Sequence, residues 1–146
     1  MFKKIVIYLF LSSLLMLNAS DLVIKKSELS VDKIVKNIKK IVEQKKALNI
    51  FTIIDHKKGA NKVGLKLPKT KVIIFGNPKM GTKIMQKDLL TALDLPIRVL
   101  VFRDKNETKI VYHEPKEWSK AYDLKDCKMI DKMSKALDKI TNKAIR

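Results

Sequence analysis

The fold and the candidate site both depend on the stretch from Phe51 to Pro96, which reads FTIIDHKKGANKVGLKLPKTKVIIFGNPKMGTKIMQKDLLTALDLP. It contains most of the glycines and prolines of the chain and one of its two histidines. Two runs rich in β-branched and aromatic residues, Asn49–Asp55 and Lys71–Phe75, predict strands joined by a polar, glycine-containing connection. Both strands end at residues poorly suited to packing, Asp55-His56 and Gly76-Asn77-Pro78, so we expect any functional site here.

Amphipathic helices flank this stretch. Ser30 is an N-cap candidate before apolar residues that recur at helical spacing from Val31 to Val42. A second such helix closes the chain from about Leu124. The spacing of Cys127 before Ile130 places this single cysteine on the apolar side of that helix, so we expect a buried structural thiol.

Three further strands and a short helix complete the predicted elements: Leu22–Lys25, Pro96–Asp104, Thr108–His113 and the helix Pro115–Tyr122. The polar turn from Asp104 to Glu107 predicts a β-hairpin. Together these patterns predict an α+β fold, a two-layer sandwich in which two long amphipathic helices cover a largely antiparallel or mixed sheet of four to five strands. Phe51–Ile54 is partly apolar on both sides of its strand, which favours a homodimer.

The first residues indicate export. Lys3 and Lys4 precede an apolar run, Ile5–Leu17, that is short for a membrane span, and Ala19 and Ser20 are small residues suited to signal cleavage. We therefore expect a signal peptide over residues 1–19, a single domain over 20–146, and a periplasmic or secreted protein. Cleavage after Ser20 and an uncleaved membrane anchor remain alternatives.

The charge is strongly positive. The chain has 32 lysines and arginines against 15 acidic residues, giving a formal net charge of +17. Export and the lack of an aromatic-studded basic strand argue against nucleic acid as the partner. The evenly spread lysines are typical of a solvated surface, and they allow weak association with an anionic membrane surface.

Asp55 and His56 have two interpretations. Asp55 at a strand end is typical of a residue that caps the following helical turn. His56 beside a carboxylate also suits a general base or a metal ligand. We predict no metal site, because His113 has no ligand spacing to His56 or to Cys127.

The segment Phe75–Lys83 lies between a strand and a helical run, as phosphate-binding loops do. The order Gly81-Thr82-Lys83 departs from the Gly-Lys-Ser/Thr that nucleotide binding requires, and Pro78 removes a backbone donor. A helix N-terminus with Thr82 as cap could still hold a carboxylate or another small anion, whereas a glycine-shaped turn is the simpler interpretation.

These motifs resemble those of the family called domain of unknown function 302. The matching residues are Asp55-His56, Gly64 before Leu65, Phe75-Gly76-Asn77-Pro78, Gly81-Thr82, the Leu93–Pro96 segment and Tyr112. The resemblance covers nearly all of the chain after the signal segment. It implies a compact α+β domain, dimeric, exported or cytosolic, with no assigned reaction. His113, Cys127 and the lysine-rich C-terminus lie outside its pattern.

We therefore expect a non-enzymatic exported module that binds a small polar or anionic ligand, or a partner, through its two loops. The ligand-binding candidates are Asp55, His56, Gly76, Asn77, Gly81 and Thr82. One rival is an enzyme with His56 as general base, oriented by Asp55 or Asn77, and with backbone amides near Gly81 stabilising an oxyanion. Another is a structural or envelope-associated dimer. The sequence assigns no cofactor.

Overall fold

A computed structural model describes residues 21–146, so the predicted signal peptide lies outside the described residues. The strands are β1 Leu22–Ser27, β2 Asn49–Asp55, β3 Thr70–Gly76, β4 Ile97–Asp104 and β5 Glu107–His113. The α-helices are α1 Val31–Glu43, α2 His56–Lys62, α3 Pro78–Met85 and α4 Lys128–Ala144. Two 3₁₀ helices span Leu89–Leu93 and Pro115–Lys120.

The five strands form one sheet in the order β1-β5-β4-β3-β2, and every neighbouring pair is antiparallel. This confirms the predicted α+β fold and its antiparallel sheet. The predicted hairpin joins β4 to β5 through Lys105 and Asn106. The Arg103 guanidinium donates hydrogen bonds to the backbone carbonyls of both turn residues, which fixes the turn.

Helices α1 and α4 pack on one face of the sheet and form the core with it. Ser30 caps α1 as predicted, since its Oγ accepts a hydrogen bond from the Lys33 amide at 3.2 Å. The buried side chains of the two helices and the sheet form a single cluster, whose members include Ile34, Ile38, Val42, Ile73, Val99, Val101, Ile110, Met133, Leu137 and Ile140. All of these residues lie within 21–146, so the described part of the chain contains its own core.

The second face of the sheet carries an apolar row that crosses all five strands. The strand registers align Ile54, Val72, Leu100, Val111 and Ile24 side by side. The three central side chains are half-buried, whereas the outer two are exposed, Ile54 by 42% and Ile24 by 55%. We call this surface the open face.

One predicted helix boundary was wrong, and one helix was not predicted. The last helix begins at Lys128 rather than near Leu124, and Cys127 is its N-cap residue; Cys127 is buried, as predicted. The connection between β2 and β3 contains α2, which the sequence did not predict as a full helix. None of the α2 residues is buried, so the helix has no apolar periodicity to reveal it.

Asp55 connects β2 to α2 and to α1. Its Oδ1 accepts a hydrogen bond from the Lys58 amide at 2.9 Å, the N-cap geometry, which confirms the capping interpretation. Its Oδ2 lies 3.5 Å from the Nζ of Lys71, which in turn lies 2.8 Å from a carboxylate oxygen of Asp32 on α1. The hydrogen bond from the Lys58 amide and the Lys71 charge lower the pKa of Asp55.

We predict that Asp55→Ala lowers the free energy of unfolding by about 1 kcal/mol near neutral pH, because α2 loses its cap. Asp55→Asn should retain most of that stability, since Asn caps helices equally well. The Asp55 pKa is lowered in the folded state, so its ionic contribution is present above the unfolded-state pKa and is lost as the pH falls through the folded-state pKa.

Urea unfolding of the wild type and Asp55→Ala at neutral and acidic pH checks this prediction. The stability difference should shrink in acid, whereas Asp123→Ala, which removes an exposed carboxylate, should leave stability nearly unchanged. Equal stability of the wild type and Asp55→Ala at neutral pH would contradict the capping role of Asp55.

Candidate functional site

The strand register separates the two loops that the sequence grouped as a candidate site. Asp55 pairs with Lys71 near the start of β3, whereas Gly76 pairs with Asn49 at its end. Gly76 lies five residue steps along the strand from Lys71, which corresponds to about 17 Å. Asp55 and His56 therefore lie at one end of the β2–β3 pair, and Gly76 and the residues after it lie at the other.

His56 is the first residue of α2 and is exposed. No hydrogen bond or ion pair joins its imidazole to another side chain within residues 21–146. Asp55 does not orient the ring, because its two carboxylate oxygens face the Lys58 amide and the Lys71 ammonium. The histidine is thus available to solvent, and the described residues supply neither the orienting partner nor the enclosure that a general base uses.

The Gly76–Thr82 loop turns directly from β3 into α3. Asn77 is the N-cap: its Oδ1 accepts a hydrogen bond from the Met80 amide at 3.1 Å. Pro78 occupies the first helical turn, where its missing N–H costs nothing. The expectation that Thr82 caps this helix was wrong, because the helix begins four residues earlier and Thr82 lies inside it.

Two backbone donors in this loop, the amides of Met80 and Gly81, are already used. The Gly81 amide donates to the Asn77 carbonyl at 2.8 Å, as part of the first helical turn. An oxyanion site built on that amide would require the turn to open. The cap from Asn77 satisfies a further amide, that of Met80.

A groove of about 230 Å³ opens beside this loop, between β2, α3 and the segment before β4. We call it the Gly76–Thr82 groove. Its lining residues are Phe51, Gly76, Asn77, Pro78, Gly81, Thr82, Met85, Leu95 and Pro96. Four of the six predicted site residues lie here together, and the walls are mostly apolar.

The two glycines keep the groove open. A Cβ added at Gly76 would lie 3.4 Å from the Pro96 Cβ and 3.7 Å from the Phe51 ring. A Cβ at Gly81 would lie 3.9 Å from the Leu95 Cδ1. A second cavity of about 80 Å³ borders both glycines on the side of α4, where Met133 and Leu137 line it. Side chains at either glycine would therefore fill space in the groove.

Sequence reasoning missed the apolar walls, namely Phe51, Met85, Leu95 and Pro96. One signal was present. Phe51 lies at a β-bulge where the β2 register shifts between Ile50 and Thr52, and a bulge re-aims a side chain that strict alternation would place elsewhere. The trace in the sequence is the run Phe51–Ile54, which is apolar on both sides of its strand and therefore cannot face a single core.

The remaining titratable candidates do not assemble. Within residues 21–146 there is no group of three His, Cys, Asp or Glu side chains with the proximity needed to hold a metal ion. His113 is exposed on β5, and Cys127 is buried at the start of α4. No helix among the described residues is long and apolar enough to cross a membrane.

Known proteins resemble this chain in sequence and in fold. It is 53% identical over 57 residues to the fluoride-specific ion channel FluC 1 of Brucella suis, covering 39% of this chain and 22% of that protein. A channel of the same description from Brucella melitensis, FluC 2, matches at 53% identity over 57 residues, 21% of its length. The chain thus spans about a fifth of the curated relatives that it matches.

The fold also matches a solved structure, that of an uncharacterized conserved protein from Bacillus stearothermophilus, described as DUF302. The TM-score is 0.69 at 13% identity, over 87% of this chain and 97% of the other. The model of the family "Domain of unknown function DUF302" matches residues 23–140, which include β2 to β5, all but the first residue of β1, and most of α4. This chain therefore belongs to the DUF302 family.

Proposed function

We propose that this protein is an exported, non-enzymatic module that binds a small molecule with a largely apolar body in the Gly76–Thr82 groove. The single observation that carries the proposal is the groove itself. Two glycines hold it open at a strand-to-helix turn where larger residues would fill it. Apolar concave sites with a few polar groups are the usual form of small-molecule sites.

The lining favours an apolar ligand body over a bare anion. Phe51, Met85, Leu95 and Pro96 offer carbon surface, and the side-chain oxygen of Asn77 already caps α3. Moving an ion from water onto such walls is costly unless paired groups replace its hydration. Lys79 and Lys83 are exposed on the same helix, and they suit a carboxylate or similar group at the end of an otherwise apolar ligand.

The geometry supports binding rather than catalysis. The rival enzyme needs His56 next to Asn77 and the Gly81 amide, but the β2–β3 register holds the histidine at the other end of the strands. The described residues around the groove include no Ser, Cys or His as a nucleophile or base. Thr82 is the one hydroxyl, and it sits within α3.

Export rests on the sequence pattern of residues 1–19. The curated relatives, whose name describes membrane channels, support a place for such modules close to a membrane. The groove does not suit fluoride, because fluoride is small and strongly hydrated, whereas the walls of the groove are mostly apolar side chains.

We predict that Gly81→Leu weakens binding of the neutral fluorophore N-phenyl-1-naphthylamine by about tenfold or more, because the leucine occupies the groove beside Leu95. A titration monitored by fluorescence measures the dissociation constant. The variant should still fold, since leucine is a better helix former than glycine by roughly 0.5–1 kcal/mol.

Gly59→Leu is the matched control. Gly59 also lies within a helix, α2, and a Cβ there has no neighbour within 4 Å. The Gly59→Leu variant should bind the fluorophore with the same dissociation constant as the wild type. Equal dissociation constants for all three proteins would place the dye elsewhere, for example on the open face, and would refute the groove as the site.

We further propose that the module is a homodimer in which the open faces of two sheets pack together. The row from Ile54 to Ile24 spans four strand spacings, about 19 Å. Because side chains alternate between the two faces of each strand, the five residues of the row lie on one face and form a continuous apolar surface. Ion pairs lie beside this row at the hairpin end, between Lys109 and Glu107 and between Lys26 and Glu107. A polar border of this kind is typical of an interface rim.

We predict that Leu100→Lys converts the dimer to a monomer, because it places a charge at the centre of the apolar row. Light scattering coupled to gel filtration measures the mass. Leu65→Lys changes an equally apolar but exposed loop residue and should remain a dimer. A wild type that elutes with the mass of one chain at micromolar concentration would contradict the proposal.

A further inference from the structure

The 3₁₀ helix Leu89–Leu93 exposes its apolar residues and buries its polar one. Its only polar residue, Thr91, is fully buried, while Leu89, Leu90 and Leu93 are exposed by 75%, 62% and 72%. With three residues per turn, Leu90 and Leu93 share one side, Leu89 and Ala92 share another, and Thr91 points inward. Both outward sides are therefore apolar.

Hydrogen bonds fix this turn on the domain. The Thr91 hydroxyl donates to the Asp88 carbonyl at 2.7 Å, and the two carboxylate oxygens of Asp88 accept from the amides of Leu90 and Asp123, both at 2.9 Å. At the far end, Arg98 donates to the Leu93 carbonyl at 2.9 Å. The leucines are thus presented from a fixed base and contribute nothing to the core.

The charge around the leucines is basic. Lys79 and Lys83 lie four residues apart on α3, and Lys87 follows just before the turn; all three are exposed. Asp94 forms an ion pair with Arg98, whereas Asp88 keeps its negative charge while it accepts two backbone amides, and Asp123 beside it is exposed. The three lysines and Arg98 outnumber these three carboxylates, so the local charge beside the leucines is positive.

We propose that the Leu89–Leu93 helix is a membrane-docking element: the leucines enter the interfacial region of a bilayer, and Lys79, Lys83 and Lys87 contact anionic lipid headgroups. Exposed apolar residues flanked by lysines have the chemistry that such surfaces attract. This inference does not require a ligand in the groove, although it shares Lys79 and Lys83 with the proposed ligand site.

A second copy of the chain fits this surface less well. Three leucines and an alanine offer far less than the roughly 800 Å² per partner of a standard protein interface. Two such surfaces facing each other would also bring like charges together. A bilayer with anionic headgroups fits both the small apolar area and the positive charge, because the leucines can enter its interface and the headgroups neutralise the lysines.

Vesicle co-sedimentation of residues 21–146 tests the proposal, since this segment contains the core cluster described above and leaves out the apolar N-terminal run. We expect binding to vesicles of phosphatidylglycerol and phosphatidylcholine in equal parts, and little to pure phosphatidylcholine. Leu90→Ser combined with Leu93→Ser should lower the partition coefficient by about tenfold or more. Lys83→Gln and Lys87→Gln should each lower it by about fivefold.

The matched control combines Val63→Ser with Leu65→Ser. These residues are exposed by 70% and 65%, lie among lysines, and belong to the segment that leads into the opposite end of β3. Their substitution should leave the partition coefficient unchanged. The proposal is overturned if both double variants lose binding equally, if neither loses binding while salt abolishes it, or if the wild type does not bind anionic vesicles at all.

Discussion

The antiparallel register of β2 on β3 is the constraint on which the rest of this structure depends. It pairs Asn49 with Gly76 and Asp55 with Lys71, so the polar residues that follow β2 and those that follow β3 lie at opposite ends of the strand pair. Each end then starts a helix with its own cap, Asp55 for α2 and Asn77 for α3. Because the register separates the caps by about 17 Å, the two conspicuous motifs of the chain serve two different places.

The same sheet explains the surfaces that are left over. Helices α1 and α4 cover one face, and the antiparallel sheet leaves an apolar row on the other. The β-bulge at Phe51 turns an aromatic ring toward Gly76, where it becomes a wall of the groove. The open face, the groove and the Leu89–Leu93 helix are separate apolar features, and we propose a different class of partner for each: a second copy, a small molecule and a bilayer.

Periodicity was sufficient to predict the strands, both long helices and the β4–β5 hairpin, because burial on one side imposes a repeat of two or of 3.6 residues. It failed for α2, whose sequence HKKGANK buries nothing, and for the cap of α3, where Asn77-Pro78 was the better N-terminal signal than Thr82. The site was only half predictable. Composition identified Gly76, Asn77, Gly81 and Thr82, but a single sequence does not give strand direction, and parallel strands would have brought Asp55 and His56 beside them.

We propose that the Gly76–Thr82 groove binds a ligand and that Asp55-His56 belongs to the scaffold. Native and denaturing mass spectra of gently purified protein test this most directly, for the wild type, His56→Ala and Gly81→Leu. We expect a bound small molecule on the wild type and on His56→Ala, and none on Gly81→Leu. Loss of the molecule from His56→Ala with retention on Gly81→Leu would contradict it.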